Sequence, residues 1–589
     1  MPLASPLTQA QPAQKSACRH GRQLARAAAL ALLTLLTLLA LLARSALAQP
    51  AEPPLPYSAA VAARFPDPAQ PPAAAVLAAG AEGFTPNPVL ADSLARLAAA
   101  AAPGVRVQRL DAGRSQAGVA LTALHFSAAG APAGRPRVLL VGQQHGDEPA
   151  GAEALLVLAG QLARGELAPV LARLDVIVLP RANPDGAQWQ QRVSAGGIDI
   201  NRDHLLLRTP EAQAVAALVA LQRPVVVVDL HEHTVVGRYL EKFQAVQRHD
   251  MLLQYAMTPH LPEALGRASE LWFRQPLLAA LAAEGLSAEW YYTNPTPAGD
   301  LRLLMGGVQP DTGRNVQGLR HAVSLLLESR GVGIGRLHLA RRMQSHLVAL
   351  HSVLRQAARH ADDLQALQAR ADAEVAAQAC VGRVVVQAEG TPARRQMLFL
   401  DPETGADKPV DVAWESALQL RELRVRARPC GYWLAPGQDG ALRTLRALGV
   451  QVQRLQAPAR LATEAWVERS RRELPRPDVR GSVADGQRTM LLLQVDLQAA
   501  ELSAPAGSWY VPLSQPLANL VVAALEPDSQ NSLLANRLLA PLDAARRVLV
   551  APPTAALSAA DAPKADDSPA EGLTPPRAAS APAAAAAQQ

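Results

Sequence analysis

The segment "HGDE" places a histidine and a glutamate three residues apart, at His145 and Glu148. It follows the apolar run "PRVLLVG" (136–142) and precedes a helix-like apolar run (149–164). Side chains three residues apart face the same side of a helical turn, so both groups could reach one metal ion. The same acidic residues could instead interact with the N-terminus of the following helix, and the motif alone leaves both interpretations open.

A second polar cluster follows another apolar run, in "VVVVDLHEHT" (225–234). His231 is the first histidine after the run, and His233, on the same strand face, is the alternative ligand. Open α/β sheets place their ligand sites at the carboxyl ends of the strands, so this cluster should lie near "HGDE". Two histidines and one glutamate are a standard catalytic zinc set. The sequence therefore predicts a metal site made by His145, Glu148 and His231.

The segment between the two clusters, "ANPDGAQWQQRVSAGGIDINRDH" (182–204), carries turn residues followed by Arg192, Asn201 and Arg202. Arginines beside a metal site can bind a substrate carboxylate or stabilise an oxyanion. For either arginine taken alone, an ordinary surface residue is the preferred interpretation.

The elements that must position these groups alternate between strand-like and helix-like patterns. Near-continuous Val, Ile and Leu runs indicate strands that are covered on both faces. The predicted fold class is α/β: a mostly parallel mixed sheet with helices on both faces, plus a smaller C-terminal α+β or β-rich domain. The predicted strands include 105–110, 136–142, 174–180 and 224–230, and the predicted helices include 149–164 and 210–222.

Composition and periodicity divide the 589 residues into segments. An apolar stripe from Met343 to Leu364 indicates one long helix, and an Ala/Pro/Ser-rich end indicates disorder. The predicted segments are a signal peptide (1–48), a Pro/Ala-rich linker and N-terminal extension (49–94), a catalytic domain (95–336), a long helix (337–379), a C-terminal accessory domain (380–550) and a disordered tail (551–589).

The first 48 residues have the pattern of a secretory signal: a basic start, an apolar run (27–42) and "Ala46-Leu47-Ala48" as a cleavage site. An uncleaved membrane anchor is the alternative. Cleavage would remove five of the 57 Lys and Arg and no acidic residue, leaving 52 basic against 51 acidic residues. The mature chain is then almost neutral and has no basic patch for nucleic acid. We expect an exported protein, periplasmic or secreted, without a stable membrane span.

Five segments, taken together, resemble the zinc carboxypeptidase family, the carboxypeptidase A-like metallopeptidases. They are "HGDE", "NPDG…R", "DINRD", "DLHEH" and "SLLLESRG", in the family's order from residue 145 to 329. The resemblance implies one Zn²⁺ per chain, held by His145, Glu148 and His231. It also places Asp199 on the carboxylate that orients the first histidine ligand.

The resemblance implies further roles for residues in the same segments. Arg192 matches the arginine that polarises the scissile carbonyl, and Asn201 and Arg202 match the pair that binds the terminal carboxylate. Glu328 matches the general base, which takes a proton from zinc-activated water and passes it to the leaving amine. Tyr292, in "EWYYTNPTPAG", is the candidate for the tyrosine that covers the substrate.

The predicted function is an exported zinc metallocarboxypeptidase that hydrolyses C-terminal peptide bonds. Asp203, where relatives more often have an aromatic residue or asparagine, leaves open a zinc amidase or deacylase acting on cell-wall peptides. A non-catalytic peptide or cell-wall binding protein is the third possibility. The partner is accordingly a peptide with a free C-terminus or a cell-wall peptide.

Three features of the second half of the chain remain open. In "GGVQPDTGRNVQGL" (306–319), Asp311 or Arg314 could contact substrate. Cys380 and Cys430 are either disulfide-bonded or two buried thiols. The segments "RPCGYWLAP" and "YVPLSQPLANLVVAALEPDS" resemble an accessory module of some exported bacterial relatives.

Overall fold

In this computed structural model, the described residues are 55–295, 297, 299–478 and 481–559. The predicted signal peptide and most of the predicted tail lie outside these residues. The strands before residue 337 are β1 (Val105–Arg114), β2 (Ala120–Ala128), β3 (Arg137–Gly142), β4 (Asp175–Leu179), β5 (Val226–Thr234), β6 (Met251–Tyr255), β7 (Ala288–Trp290), β8 (Tyr292–Thr293), β9 (Leu303–Met305) and β10 (Val323–Val332).

Eight of these strands form one mixed sheet in the order β1-β2-β4-β3-β5-β10-β6-β7. The four central strands β4, β3, β5 and β10 run parallel to one another. Antiparallel pairs lie outside them, between β1, β2 and β4 on one side and between β10 and β6 on the other. The central strands are almost wholly buried because both faces are covered, as their continuous apolar runs predict.

Helices cover both faces of the sheet, which confirms the predicted α/β class. One apolar cluster packs Leu155 and Leu158 against Val138 and Val228. A second cluster packs Val215 and its neighbours on the opposite face. The helices up to residue 377 are α1 (Ala59–Ala62), α2 (Asn87–Ala99), α3 (Ala150–Ala163), α4 (Ala168–Leu171), α5 (Pro184–Trp189), α6 (Pro210–Gln222), α7 (Arg238–Phe243), α8 (Glu263–Ala268), α9 (Gln275–Ala283), α10 (Gly313–Leu319), α11 (Leu339–Arg359) and α12 (Ala361–Ala377).

Short helical segments of other types occur between these elements. They are 3-10 helices at Ala75–Leu77 and Ile200–Arg202 and a π-helix at Ser269–Arg274. None of the helices in the described residues is long and apolar enough to cross a membrane.

The single long helix predicted over 337–379 is instead two helices, α11 and α12. They meet at His360, whose backbone leaves the helical region (φ −102°, ψ 23°). The His360 ring stacks on Trp272 with centroids 4.5 Å apart, and its Nδ1 lies 3.2 Å from Asp363 Oδ2. Periodicity does not detect this break because the apolar stripe continues across it.

The predicted linker (49–94) contains residues that pack in the core from Tyr57 onwards. Val61 and Phe65 are buried with Val235 and Ile334. The guanidinium of Arg330, at the end of β10, lies 3.3 Å from the centre of the Phe65 ring. This segment is therefore part of the folded structure, because its few large apolar side chains find a complementary surface there.

The C-terminal region is rich in strands, as predicted, and shares one sheet with the preceding region. Its strands and helices are β11 (Arg383–Leu400), β12 (Asp407–Ala427), β13 (Gly431–Leu434), α13 (Asp439–Ala447), β14 (Gln453–Leu455), β15 (Ala459–Leu474), β16 (Pro477–Asp478), β17 (Gly481–Ser482), β18 (Met490–Ala504), β19 (Trp509–Pro512), α14 (Ala518–Leu525), β20 (Ala545–Val548) and β21 (Leu557–Ala559).

Strand β12 pairs with β9, so hydrogen bonds join the C-terminal strands to the region that carries the predicted site. Seven of the remaining strands form a sheet in the order β18-β15-β20-β13-β19-β14-β21. Its last strand, β21, lies in the segment predicted to be disordered (551–589) and is held by pairing with β14. Cys380 and Cys430 form a disulfide, which resolves the question that the sequence left open.

Candidate active site

The structure brings together His145, Glu148 and His231 at the carboxyl end of the parallel strands. One ligand atom from each lies within 4.8 Å of the other two. Glu148 Oε1 is 2.8 Å from His145 Nδ1, and Glu148 Oε2 is 2.7 Å from His231 Nδ1. The two Nδ1 atoms are 3.0 Å apart. All three side chains are buried, so their polar atoms converge on one small volume.

The sheet and one tight turn produce this convergence. Strands β3 and β5 are adjacent and parallel, so the turn after β3 lies beside His231. A backbone hydrogen bond from Glu148 N to His145 O closes the turn at 3.2 Å. Gly146 lets the turn approach the "NPDG" segment, because a Cβ at this position would lie 2.0 Å from the carbonyl carbon of Gly186.

Each histidine directs Nδ1 toward Glu148 and Nε2 toward a different carboxylate. Asp199 Oδ1 is 3.1 Å from His145 Nε2, and Asp229 Oδ1 is 3.0 Å from His231 Nε2. Such carboxylates set the tautomer and orientation of a metal-binding imidazole. Asp199 therefore lies where the sequence predicts it. The role of Asp229 was not predicted, although its position two residues before His231 on the same strand face was a usable signal.

Arg192 lies at the edge of the same cluster. Its Nη2 is 2.9 Å from Asp199 Oδ2, and its Nη1 donates to His145 Nδ1 at 3.1 Å and to Glu148 Oε1 at 3.3 Å. Burial disfavours the Asp199 carboxylate, but Arg192 and His145 hold its pKa well below the usual range. The Arg192 side chain is 25% exposed, so it is also accessible to a ligand.

Asn201 and Arg202 lie beside the cluster, but both are already engaged within the protein. Asn201 Nδ2 is 3.1 Å from His231 Nε2, and its Oδ1 accepts a hydrogen bond from Gly313 N at 2.8 Å. Arg202 Nε donates to Asp478 Oδ1 at 3.0 Å, and Nη2 is 3.4 Å from Oδ2. Asp478 belongs to β16, 276 residues further along the chain, and no sequence signal pointed to it.

Glu328 lies on β10 directly beside His231 on β5, since the two residues are register partners. Glu328 lines the same cavity as His145 and Glu148. Tyr292 also lines this cavity, but its hydroxyl donates to Gln247 Oε1 at 2.9 Å and its ring packs on Trp414. Its role in covering substrate stays a prediction.

Two other residues of the motifs lie apart from the cluster. His233, the alternative ligand, has its Nδ1 3.1 Å from the backbone oxygen of Glu328. Burial lowers the pKa of His233 to about 3, so the ring is neutral. Asp147 is also outside the three-residue cluster, in agreement with the choice of Glu148 as the acidic ligand.

The cavity beside the cluster has a volume of about 330 Å³. His145, Arg192, Asn201, Arg202, Arg314 and Glu328 are among its lining residues. This volume falls at the lower end of the range typical of small-molecule sites. Two members of the cluster, the Glu328 carboxylate and four arginines therefore line one space that a short peptide end could enter.

The donor set fits zinc. Two imidazole Nδ1 atoms and one carboxylate converge, and each imidazole is held from behind by an aspartate, as in a catalytic site with three protein ligands. The convergence of these buried donors on one another is the observation that supports this fit.

Comparisons with known proteins agree with this geometry. The family model described as zinc carboxypeptidase (Peptidase_M14) matches residues 93–239. Carboxypeptidase 2 of Trichophyton equinum is 30% identical over 402 residues, which cover 67% of this chain and 72% of the relative. Carboxypeptidase 2 of Trichophyton tonsurans matches to the same extent.

Solved structures show weaker similarity. A metallo-carboxypeptidase from Pseudomonas aeruginosa is 20% identical, with a TM-score of 0.36 over 48% of this chain and 71% of that one. A metallo-carboxypeptidase from Burkholderia cenocepacia is 19% identical, with a TM-score of 0.35 over 46% and 70%. The assignment therefore rests on the sequence relatives, and by that measure the chain belongs to the zinc carboxypeptidase family and is a metallocarboxypeptidase.

Proposed function

We propose that this protein is an exported zinc-dependent carboxypeptidase that removes the C-terminal residue of peptides. The observation that carries the proposal is the register of β5 and β10, which sets Glu328 beside His231 at the edge of the His145–Glu148–His231 cluster. A general base and a metal site on neighbouring strands are the parts that hydrolysis of a peptide bond requires.

His145, Glu148 and His231 would hold one zinc ion. When bound, zinc supplies Lewis-acid polarisation of the substrate carbonyl and lowers the pKa of water. Asp199 and Asp229 keep each imidazole in the tautomer whose Nδ1 is free to bind metal. The buried strands behind them make this arrangement rigid before substrate arrives.

Glu328 and Arg192 would perform the remaining steps. The Glu328 carboxylate takes a proton from the attacking water and then donates it to the amine nitrogen of the departing residue. Arg192, held by Asp199 but partly exposed, directs its guanidinium N–H groups toward the oxygen of the scissile carbonyl, where negative charge develops.

The test compares Glu328→Gln with the wild-type chain. We expect the variant to bind zinc in the wild-type amount, measured by metal analysis, and to lose turnover by at least about a hundredfold. Glu153→Gln is the matched control: Glu153 is a buried glutamate that bonds to Thr85, away from the cavity. If Glu328→Gln hydrolyses peptides as fast as this control, Glu328 is not the base.

The choice of substrate is tested with a mixed peptide library, with and without a chelator. Mass spectrometry shows whether single residues leave from the C-terminus. The alternative is an amidase or deacylase acting on cell-wall peptides. One observation favours it, since Arg202 is already paired with Asp478. Cleavage of internal amides with no loss of terminal residues would support that alternative.

Export would follow from residues 1–48, which lie outside the described residues. We expect the exported form to begin at Gln49, after the "Ala46-Leu47-Ala48" pattern. N-terminal sequencing of protein recovered outside the cytoplasm tests this. A start at Met1 would indicate a retained anchor.

A further inference from the structure

Four arginines line the cavity: Arg238 is partly exposed, and the other three differ in what balances their charge. Arg192 is paired with Asp199 and Glu148. Arg202 is paired with Asp478, and both of these side chains are largely buried. Arg314 forms no ion pair with any carboxylate among the residues that the structure describes. Of the two buried arginines that the structure describes in the cavity lining, Arg202 is therefore in an ion pair and Arg314 is not.

The surroundings of Arg314 hold its guanidinium in place. Arg314 lies on α10, is only 3% exposed, and donates from Nη2 to Gly307 O at 2.8 Å. Its Nε is buried and has no hydrogen-bond partner within the described part of the chain. A Cβ on Gly306 would lie 2.6 Å from Nη2, so Gly306 makes room for this side chain.

The charge on Arg314 is costly in this position. Burial lowers its pKa to about 10, although Tyr291, Glu328 and Asp311 act in the opposite direction. Burial acts in the same direction on Arg202, but Asp478, Asp199 and Asp311 raise the pKa of that group well above the usual value. A buried cation that is not in an ion pair is stabilised when a carboxylate binds directly to it. Arg314 is thus a buried cation outside any ion pair, as expected of a group that binds an anionic ligand.

We infer that Arg314, rather than Arg202, binds the terminal carboxylate of the peptide substrate, and that Asp478 removes Arg202 from this role. The inference rests on the proposed function. Arg314 lines the same cavity as Glu328 and His145, so a carboxylate bound to it stays in the space beside the reacting groups. Arg202 then serves to attach β16 to the site, with Arg476 Nη2 donating to Arg202 O at 2.7 Å.

The experiment uses the full zinc-loaded chain and acetyl-alanyl-X peptides with every standard residue at X. KM is measured for the free acids, and the matching peptide amides are measured as competitive inhibitors. We expect Arg314→Gln to raise KM for the acids by about 10- to 100-fold, the effect of losing a charge-assisted hydrogen bond. The inhibition constants of the amides should change by less than about threefold. Arg314→Lys should recover part of the loss for the acids.

Two further variants separate this role from a structural one. Arg202→Gln should weaken acids and amides by the same factor, because Arg202 binds Asp478 and not the substrate. Arg428→Gln is the matched control: it removes another buried arginine, one that bonds to Asn519 away from the cavity. It should leave the preference for acids over amides as in the wild-type chain.

The opposite pattern overturns the inference. Arg202 binds the carboxylate if Arg202→Gln is the one variant that abolishes the preference for acids. The same conclusion follows if Asp478→Asn lowers KM for acids in the wild-type chain but not in Arg202→Gln. Binding of the same acids, measured by equilibrium dialysis, separates this result from a failure of the proposed function. Acids that bind through Arg314 without being cleaved would refute only the proposed function. Acids that neither bind nor are cleaved would refute both.

Discussion

Arg342→Met should destabilise the protein by about 4 kcal/mol, because it leaves the carboxylate of Glu232 buried without its partner. Arg342 Nε donates to Glu232 Oε1 at 2.8 Å, and Nη2 is 2.7 Å from the same oxygen. The two side chains are 1% and 0% exposed, so water cannot replace the lost partner. Removing one member of such a pair costs about 3–5 kcal/mol.

Glu232 follows His231 on β5, and its backbone N–H donates to Glu148 Oε2 at 3.1 Å. The pair therefore connects helix α11 to the strand that carries the metal cluster. For about 500 ordered residues that unfold together, the unfolding entropy is about 1 kcal/mol per kelvin, so the expected fall in Tm is about 4 °C. Urea unfolding gives the free-energy change directly.

Two comparisons test the reasoning. Glu232→Gln together with Arg342→Met should recover at least about 2 kcal/mol, because a neutral amide can still accept from Ala150 N and carries no charge. Arg173→Met is the control: Arg173 and its partner Asp362 are 51% and 83% exposed, water can replace the lost partner, and the loss should cost no more than about 1 kcal/mol. An Arg342→Met variant within 1 kcal/mol of wild type, or no recovery in the double variant, would refute the account.

Three further perturbations have expected outcomes. His260 Nε2 accepts from Val385 N at 2.6 Å and burial lowers its pKa to about 4, so the unfolded chain takes up the proton first as pH falls. The contribution of His260 to the free energy of unfolding should be fully present above about pH 6.5 and fall by up to about 3 kcal/mol towards pH 4. Unfolding curves measured across this range should show a smaller loss for His260→Gln. Reduction of the Cys380–Cys430 disulfide should lower the free energy of unfolding by about 4 kcal/mol, because the bond closes a loop of 50 residues. Reductant should therefore lower the Tm of the wild-type chain and leave the Tm of Cys380→Ser unchanged. Gly146→Ala should abolish metal binding, measured by metal analysis of folded protein, because its Cβ would overlap the backbone of Gly186; normal zinc content would show that the turn can move.

Local patterns predicted the central elements closely. The run 174–180 corresponds to β4 (Asp175–Leu179), and the pattern 210–222 corresponds to α6 (Pro210–Gln222). Strand and helix periods are properties of neighbouring residues, and a strand that is buried on both faces must be apolar along its length. The order of polar clusters after these strands was enough to predict that His145, Glu148 and His231 meet.

Other features depend on contacts between distant segments. At the break the His360 ring stacks on Trp272, and Phe65 of the N-terminal extension packs in a buried cluster with residues far along the chain. The periodicity of either segment contains no sign of its partner. For this reason the sequence predicted one helix and a linker where the structure has two helices and a packed segment.

What the sequence determined by itself is the set of reactive groups and the strand ends on which they lie, because these follow from residue type and local period. Only the tertiary structure decided which charged side chains around the cavity are in an ion pair. Arg202 and Arg314 are both single arginines in polar segments, and nothing local distinguishes them. Asp478, 276 residues after Arg202, reaches one of them and not the other. The energy of a buried charge depends on which counter-charge lies within a few ångströms, and only the folded chain determines that.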